Sequence, residues 1–334
     1  MAFRGGGLAG EATRLAPTTI LLDPGEAWDH DQTSSERAPD LRRATQELGE
    51  PDVTLLVSVA AGHSLPYLPE PVGAVVCWVV EQGEDLSWLK GPTDLLGRTS
   101  TWLAGASNVA DELAPLLPPG TDVRVVPEFV DAVRPADEQQ VSNCRRALDP
   151  EDSQLLVVGA GIATYRKAPD LFYEAAAAHA SVAQGSTGWA WLGGERDPLF
   201  YPVVEQARCG PVARFRMFGD VDDVVPWVAA ADVVLHPARL DAFPLVCLHA
   251  VLAGTPVVSF AGAGGVGEML GPTFMGVTYP DLHGLAQIVE SLRDESLRSE
   301  VTAAQTEWAR NRFSTDVAAP LLLEQLEAAA GATP

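Results

Sequence analysis

The chain has 334 residues, 47% of them hydrophobic, enough to bury two cores, so two domains are the natural expectation. With 45 Asp+Glu against 22 Lys+Arg its formal charge is −23, which argues against nucleic acid or an anionic membrane as partner, because both require a basic field. A phosphate site here has to be a local exception, made of a few cationic side chains and backbone amides.

In chain order, RGGGLAGEA at 4–12 is a glycine loop with only four residues before it, too few for the usual first strand, so part of that sheet is expected to be missing or reordered. Short apolar, β-rich runs follow: TTILLD (18–23), VTLLVSVA (53–60), AVVCWVVE (74–81), TWLAGAS (101–107) and DVRVVPEF (122–129). Between them LRRATQELG and NVADELAPLL have helical spacing, which makes βα units and a parallel sheet the economical arrangement for residues 1–131. A polar, proline-marked passage, 132–149, is expected to be a linker.

Residues 150–312 hold a second series: LLVVGAG, GWAWLGG, RFRMFGD, ADVVLHP and TPVVSF, alternating with LFYEAAAAHASVA, VPWVAAA and LVCLHAVLAG. Continuous apolar runs, rather than alternation, mean strands covered on both faces, as in doubly wound sheets. The fold class is therefore α/β, with two Rossmann-like domains. The end, 315–334, is expected to be a helix with a frayed tail. Cys77, Cys144, Cys209 and Cys247 have no metal or redox spacing, and three sit in contexts that suit buried thiols. With no apolar run long enough for a signal peptide or a membrane span, a cytoplasmic protein without membrane insertion is expected.

Chemistry concentrates in three places. After the strand ending at Gly159, a loop containing Gly161 carries Arg166 and Lys167 just before a helix starting near Pro169, and cations beside a helix N-terminus suit a diphosphate. In PARLDAFPLVCLHAVLAG, Asp241 precedes Ala242, Phe243, Pro244 and Leu245, which open a helix whose second turn bears His249; Pro244 has no N–H to give. AGAGGVGEML adds a glycine loop with Gly265 and the acid Glu268. FGDVDD at 218–223 contains Asp-x-Asp, but before VPWVAAA it is read as helix capping, and no metal is expected.

These segments resemble the family 4 retaining glycosyltransferases of the GT-B fold, in which two Rossmann-like domains face one another across a cleft. Asp241-x7-His249 stands where the family has Glu-x7-Glu, RKA-x-DLF where it has RKG-x-DLF, and Gly264–Gly265 with Glu268 where it has GG-x-x-E. The resemblance implies that Arg166 and Lys167 neutralise the leaving diphosphate, Asp241 holds donor-sugar hydroxyls, and Ala242 to Leu245, Gly265 and Glu268 lie beside sugar and phosphate. It puts the nucleobase near Gly219 to Val221 and the ribose at His249, where an imidazole replaces the second acid. Gly6 and Gly7 are the implied loop facing the diphosphate from the first domain. The last helix is implied to cross back to that domain. Where the family often has a histidine, the chain has Val80 followed by Glu81, a polar group on the acceptor side together with His63. The implied activity is metal-independent retaining transfer from a nucleoside-diphosphate sugar to a small-molecule or glycan acceptor, natural products included, with no other cofactor. The alternatives are a nucleotide-sugar epimerase or hydrolase of the same fold, and a non-catalytic nucleotide-sugar-binding partner of another transferase.

Overall fold

A computed structural model describes residues 2–4, 20–22, 50–68, 71–90, 94–131, 137–194, 201–210, 212 and 214–331. The chain divides into two compact units: Met1–Ala104 with Val109–Val125 and Leu322–Pro334, and Gly105–Asn108 with Val126–Leu321.

In the first unit β1 (Ala2–Arg4) pairs in parallel with β2 (Ile20–Leu22). The residues before the glycine loop do form a strand, contrary to expectation: three suffice for one short parallel pairing. The loop itself, with Gly6 and Gly7, lies outside the described residues. A separate parallel sheet has the order β3 (Val53–Val57), β4 (Ala74–Val79), β5 (Thr99–Ala104), β6 (Val123–Val125). Residues 75–79 of β4 are all buried. Two 3-10 segments, Val59–Tyr67 and Gly83–Lys90, and the short helices α1 (Leu95–Arg98) and α2 (Ser107–Leu113) connect these strands, the first two residues of α2, Ser107 and Asn108, grouping with the second unit.

The second unit begins before the expected boundary. Residues 138–148 of the segment read as a linker form α3 (Glu138–Leu148), capped by Asp137, whose side chain accepts from Gln139 and Gln140 amides. Leu148 is buried in the same apolar cluster as Leu156, Val158 and Leu192. Arg145 of α3 donates to Asp232 at 2.9 Å and to the Ala230 carbonyl at 3.0 Å, and Asp232 also accepts from the Leu156 amide at 2.7 Å. This helix is part of the domain, stitched to it by an ion pair between residues far apart in the chain.

After α3 come β7 (Leu155–Ala160), α4 (Pro169–His179), β8 (Thr187–Leu192), α5 (Tyr201–Cys209), β9 (Phe215–Met217), α6 (Val225–Ala229), β10 (Val233–His236), α7 (Leu245–Leu252), β11 (Val257–Ala261), α8 (Val266–Leu270), β12 (Met275–Thr278), α9 (Leu282–Ser291), α10 (Glu295–Phe313) and α11 (Thr315–Gly331). All sheet pairings are parallel, in the order β12-β11-β10-β7-β8-β9. β7 and β10 are buried at every residue, as their unbroken apolar runs require of a sheet covered on both faces. Phe172 of α4 packs edge-on to Trp189 and Trp191 of β8, with ring centroids 5.4 Å apart in both pairs. Gln305 of α10, fully buried, exchanges hydrogen bonds with both backbone groups of Val257 at the start of β11. The unit boundary falls within α11, whose residues from Leu322 on group with the first unit. Among the described residues no helix is long and apolar enough to cross a membrane.

If α3 is integral to its domain, Asp232→Ala strips an acceptor from both Arg145 and the Leu156 amide and should lower stability by about 1.5–3 kcal/mol in urea melts. A change within about 0.5 kcal/mol, the ordinary range for surface substitutions, would return residues 138–148 to the status of a tether.

Candidate active site

The order of strands in the second unit reverses between β7 and β10: from β7 the chain runs outward through β8 and β9, then returns to β10 on the other side. Loops leaving the carboxyl ends of two such strands diverge to opposite faces and open a crevice there, where ligands of doubly wound sheets bind. Loop 161–168, after β7, and loop 237–244, after β10, meet at this point.

They meet through charge. Lys167 Nζ lies 2.5 Å from Asp241 Oδ2, with Asp241 only 4% exposed. Arg239 holds the two loops together: its backbone N–H donates to the Arg166 carbonyl at 2.9 Å, and its guanidinium grips Asp170 at both oxygens (3.0 and 2.5 Å) and reaches the Tyr165 carbonyl at 2.9 Å. It also stacks 4.2 Å above the Tyr165 ring. The Asp170 hydrogen bonds raise its already high pKa further. Arg166, one residue from Lys167 and half-buried, pairs with no carboxylate among the described residues.

The turn before α4 needs a left-handed residue. Ala168 supplies it at φ 57°, and its N–H closes on the Thr164 carbonyl at 3.0 Å. Glycine adopts that conformation without cost, which accounts for the glycine of the resembled pattern. Gly161, at φ 150°, accepts from the Trp191 indole at 3.1 Å, and its carbonyl oxygen lies where a Cβ on Gly193 would fall. Loops after β7 and β8 thereby press together at the edge of the crevice.

Asp241 is fixed by its own backbone. Its N–H donates to the Ala263 carbonyl at 2.8 Å and its carbonyl accepts from the Gly265 amide at 2.9 Å. A side chain at Gly265 would strike the Ala242 carbonyl, so glycine is required there by close approach. α7 starts at Leu245, the first residue of the expected helix LVCLHAVLAG; Ala242, Phe243 and Pro244 form the turn before it, and the first-turn amides are those of Leu245 and Val246. Phe243 is buried against Phe313, at 5.2 Å between centroids, and anchors that turn.

His236, the last residue of β10, escaped the sequence reading. It is 3% exposed, and its Nε2 sits 3.4 Å from Asp241 Oδ2 without a hydrogen-bond partner. Burial pushes its pKa down to about 4; Asp241 opposes this, while Lys167 and Arg166 add to it. The imidazole is neutral at neutral pH. In sequence it is one more residue of an apolar strand, and its position at the strand's carboxyl end was the available signal.

The remaining candidates scatter. His249 is half-buried on α7, its Nδ1 has no hydrogen-bond partner, and burial lowers its pKa against the pull of nearby Asp223. Gly219 accepts from the Gly193 amide at 3.1 Å, and Val221 packs on the core cluster. Asp220 accepts from the Gly194 amide and Asp223 from the Val225 amide. Among the described residues no three His, Cys, Asp or Glu side chains gather as a metal site. Glu268 accepts from the Ser107 amide at 2.7 Å. In the first unit the Glu81 carboxylate accepts from the Val59 and Val80 amides at 3.2 and 3.1 Å and, second to burial, helps push the Cys77 thiol up to about 12. Glu81 is thus engaged in holding the ends of β3 and β4. His63 lies on the 3-10 segment after β3, its side chain outside the described residues.

His236 also sets an acid limit. Its pKa is lower folded than the ordinary 6.5, so the unfolded chain binds the proton more readily: its neutral form supports full stability above about pH 6.5, and stability falls as pH drops toward 4. A shift of that size corresponds to roughly 3 kcal/mol. Urea midpoints of wild type should fall between pH 7 and 4.5 more steeply than those of His236→Gln; parallel slopes would contradict the assignment.

Residues 152–295 match the family model "Glycosyl transferases group 1". The chain is 26% identical over 200 residues to the lipopolysaccharide glucosyltransferase WaaG of Escherichia coli, covering 60% of this chain and 51% of that protein. To a D-inositol 3-phosphate glycosyltransferase of Saccharomonospora viridis it is 30% identical over 221 residues, covering 61% and 50%. The chain thus spans about half the length of these relatives. Among solved structures, Anabaena Alr3699/HepE in complex with UDP and glucose superposes with a TM-score of 0.75 at 16% identity, covering 98% of this chain and 99% of that one. A glycosyltransferase from Rickettsia africae gives 0.73 at 13% identity, over 99% and 90%. Two parallel Rossmann-like sheets and these likenesses identify the fold as GT-B, with residues 152–295 the part that is similar to group 1 glycosyl transferases.

Proposed function

We propose that the chain is a metal-independent, retaining glycosyltransferase that moves a sugar from a nucleoside diphosphate to a small-molecule or glycan acceptor in the cytoplasm. The observation that carries this is the meeting of Arg166, Lys167 and Asp241 at the switch point of the second sheet. The names of the relatives, a glucosyltransferase and an inositol-phosphate glycosyltransferase, support the reaction class. In the reaction the bond from the anomeric carbon to the diphosphate oxygen breaks while the acceptor oxygen bonds that carbon on the same face. The acceptor's proton passes to the departing phosphate, so no enzymic nucleophile takes part. The protein's contribution is stabilisation of charge on the leaving diphosphate. Arg166, Lys167 and the amides of Leu245 and Val246 supply it, Asp241 orients sugar hydroxyls, and His249 with the 219–221 segment receives the nucleoside.

Thermal melts with UDP, GDP, ADP and dTDP test the donor class, since a ligand of the native state raises its stability. Arg166→Ala should weaken binding of the diphosphate by about 10- to 100-fold, the worth of a charged hydrogen bond, with the ligand-free melting temperature unmoved because Arg166 pairs with no carboxylate among the described residues. Lys167→Ala should weaken it comparably but also destabilise the free protein by on the order of 3 kcal/mol, because it leaves buried Asp241 unpaired. Unchanged affinity in both variants discards the site. Turnover should persist in EDTA; loss of activity restored by Mn²⁺ or Mg²⁺ would overturn metal independence.

His249→Glu separates a ribose contact from packing. At the nucleoside site the carboxylate should strengthen or redirect nucleotide preference; as a packing residue it buries a carboxylate near the exposed Asp223 and mainly destabilises. Melting temperature and nucleotide affinity, measured together, decide between them.

A further inference from the structure

The Lys167–Asp241 pair poses a problem for the function proposed above. An ammonium held 2.5 Å from a buried carboxylate has much of its charge neutralised, and a diphosphate can draw on it only by pulling it away. Asp241 would then be a carboxylate, 4% exposed, deprived of its cation, and an uncompensated buried charge is among the costliest states a site can adopt. One buried polar group faces it unengaged: His236 Nε2, 3.4 Å from the same oxygen, Oδ2, that Lys167 occupies.

We propose that His236 is a positioning residue that takes over Asp241 when Lys167 is drawn to the diphosphate, donating Nε2–H to Oδ2 and so keeping Asp241 oriented toward the donor sugar. The inference rests on the donor-site reading. Three features support it beyond proximity. The imidazole is neutral, so it donates a hydrogen bond without adding a second fixed cation that would compete with Lys167 or the ligand. The charged groups acting on it are Asp241, Lys167 and Arg166, the members of the proposed site. Its ring is pinned by position, at the end of a fully buried strand whose carbonyl at the same residue accepts from Ser259 Oγ at 2.8 Å. A buried nitrogen without a partner is a cost in the free protein; it becomes an asset once Lys167 has moved.

The test is diphosphate binding by calorimetry in wild type, His236→Leu and His236→Gln, each also in an Asp241→Asn background, using whichever of UDP, GDP, ADP and dTDP binds wild type most tightly. Glutamine retains an N–H near the position of Nε2; leucine does not. His236→Leu should leave the ligand-free melting temperature equal or higher, since the nitrogen it removes is unpaired, yet weaken diphosphate binding about tenfold, the worth of one hydrogen bond to a charge. His236→Gln should recover most of that loss. With asparagine at 241 there is no carboxylate to hold, and His236→Leu should leave affinity unchanged. An equal loss in both backgrounds, or no loss in either, overturns the role of His236 while leaving the donor site standing. If no diphosphate binds wild type, or if Arg166→Ala and Lys167→Ala are both silent, the donor-site reading falls and this inference with it.

Discussion

The contact on which the second unit's site depends is the Lys167–Asp241 ion pair. Two loops leaving different strands have no reason to lie in register except what binds them, and here a cation on one meets a buried anion on the other. Taking both charges out of water is expensive, and their attraction offsets that only with good geometry and further hydrogen bonds. The surroundings provide these. Arg239 clamps loop to loop through Asp170 and two carbonyls, Ala168 turns the chain at positive φ to present Lys167, and Gly265 admits the Ala242 carbonyl so that Asp241 can pair with the glycine loop.

Topology puts that contact where it is. A parallel sheet wound outward from its centre in both directions leaves one seam at which neighbouring loops part, and β7 and β10 are the strands on either side of it. Hydrophobic burial fixes those strands without reference to function: each is buried at every residue. The candidate site's residues lie just past their ends, where backbone is no longer committed to the ladder. His236 marks the transition, because it is the last residue of a strand by hydrogen bonding and the first of the site by chemistry.

Much of this was legible in the sequence, for identifiable reasons. Unbroken apolar runs disclosed the buried strands, and the placing of Arg166, Lys167, Asp241 and the glycine loop at strand ends pointed to the loops that meet beside β7 and β10. What escaped was set by contacts remote in sequence. α3 is polar along most of its length, and what binds it to the domain is Leu148 in the core and Arg145 on Asp232, 87 residues away. β12 is four residues long with a glycine inside, too short and weak a pattern to distinguish from a turn, yet it pairs with β11 over its whole length. Arg239 belongs to no motif; its importance appears only when Asp170, 69 residues distant, is found beneath it.

The charge balance of the chain adds a last constraint. At −23 the protein as a whole repels a diphosphate, so long-range steering cannot be what brings one in. In the second unit several arginines are already spent on carboxylates: Arg145 on Asp232, Arg214 on Glu151, Arg239 on Asp170 and Arg293 on Glu290. Lys167 is half-committed to Asp241, which leaves Arg166 as the cation beside it without an acidic partner among the described residues. For the proposed function, affinity for an anion at this place would come from short-range donors: the Arg166 guanidinium, amides at the start of α7, and the Lys167 ammonium once drawn from its carboxylate. On that proposal the site discriminates by geometry, because a ligand that fails to draw Lys167 away meets a nearly neutral surface in a negative field.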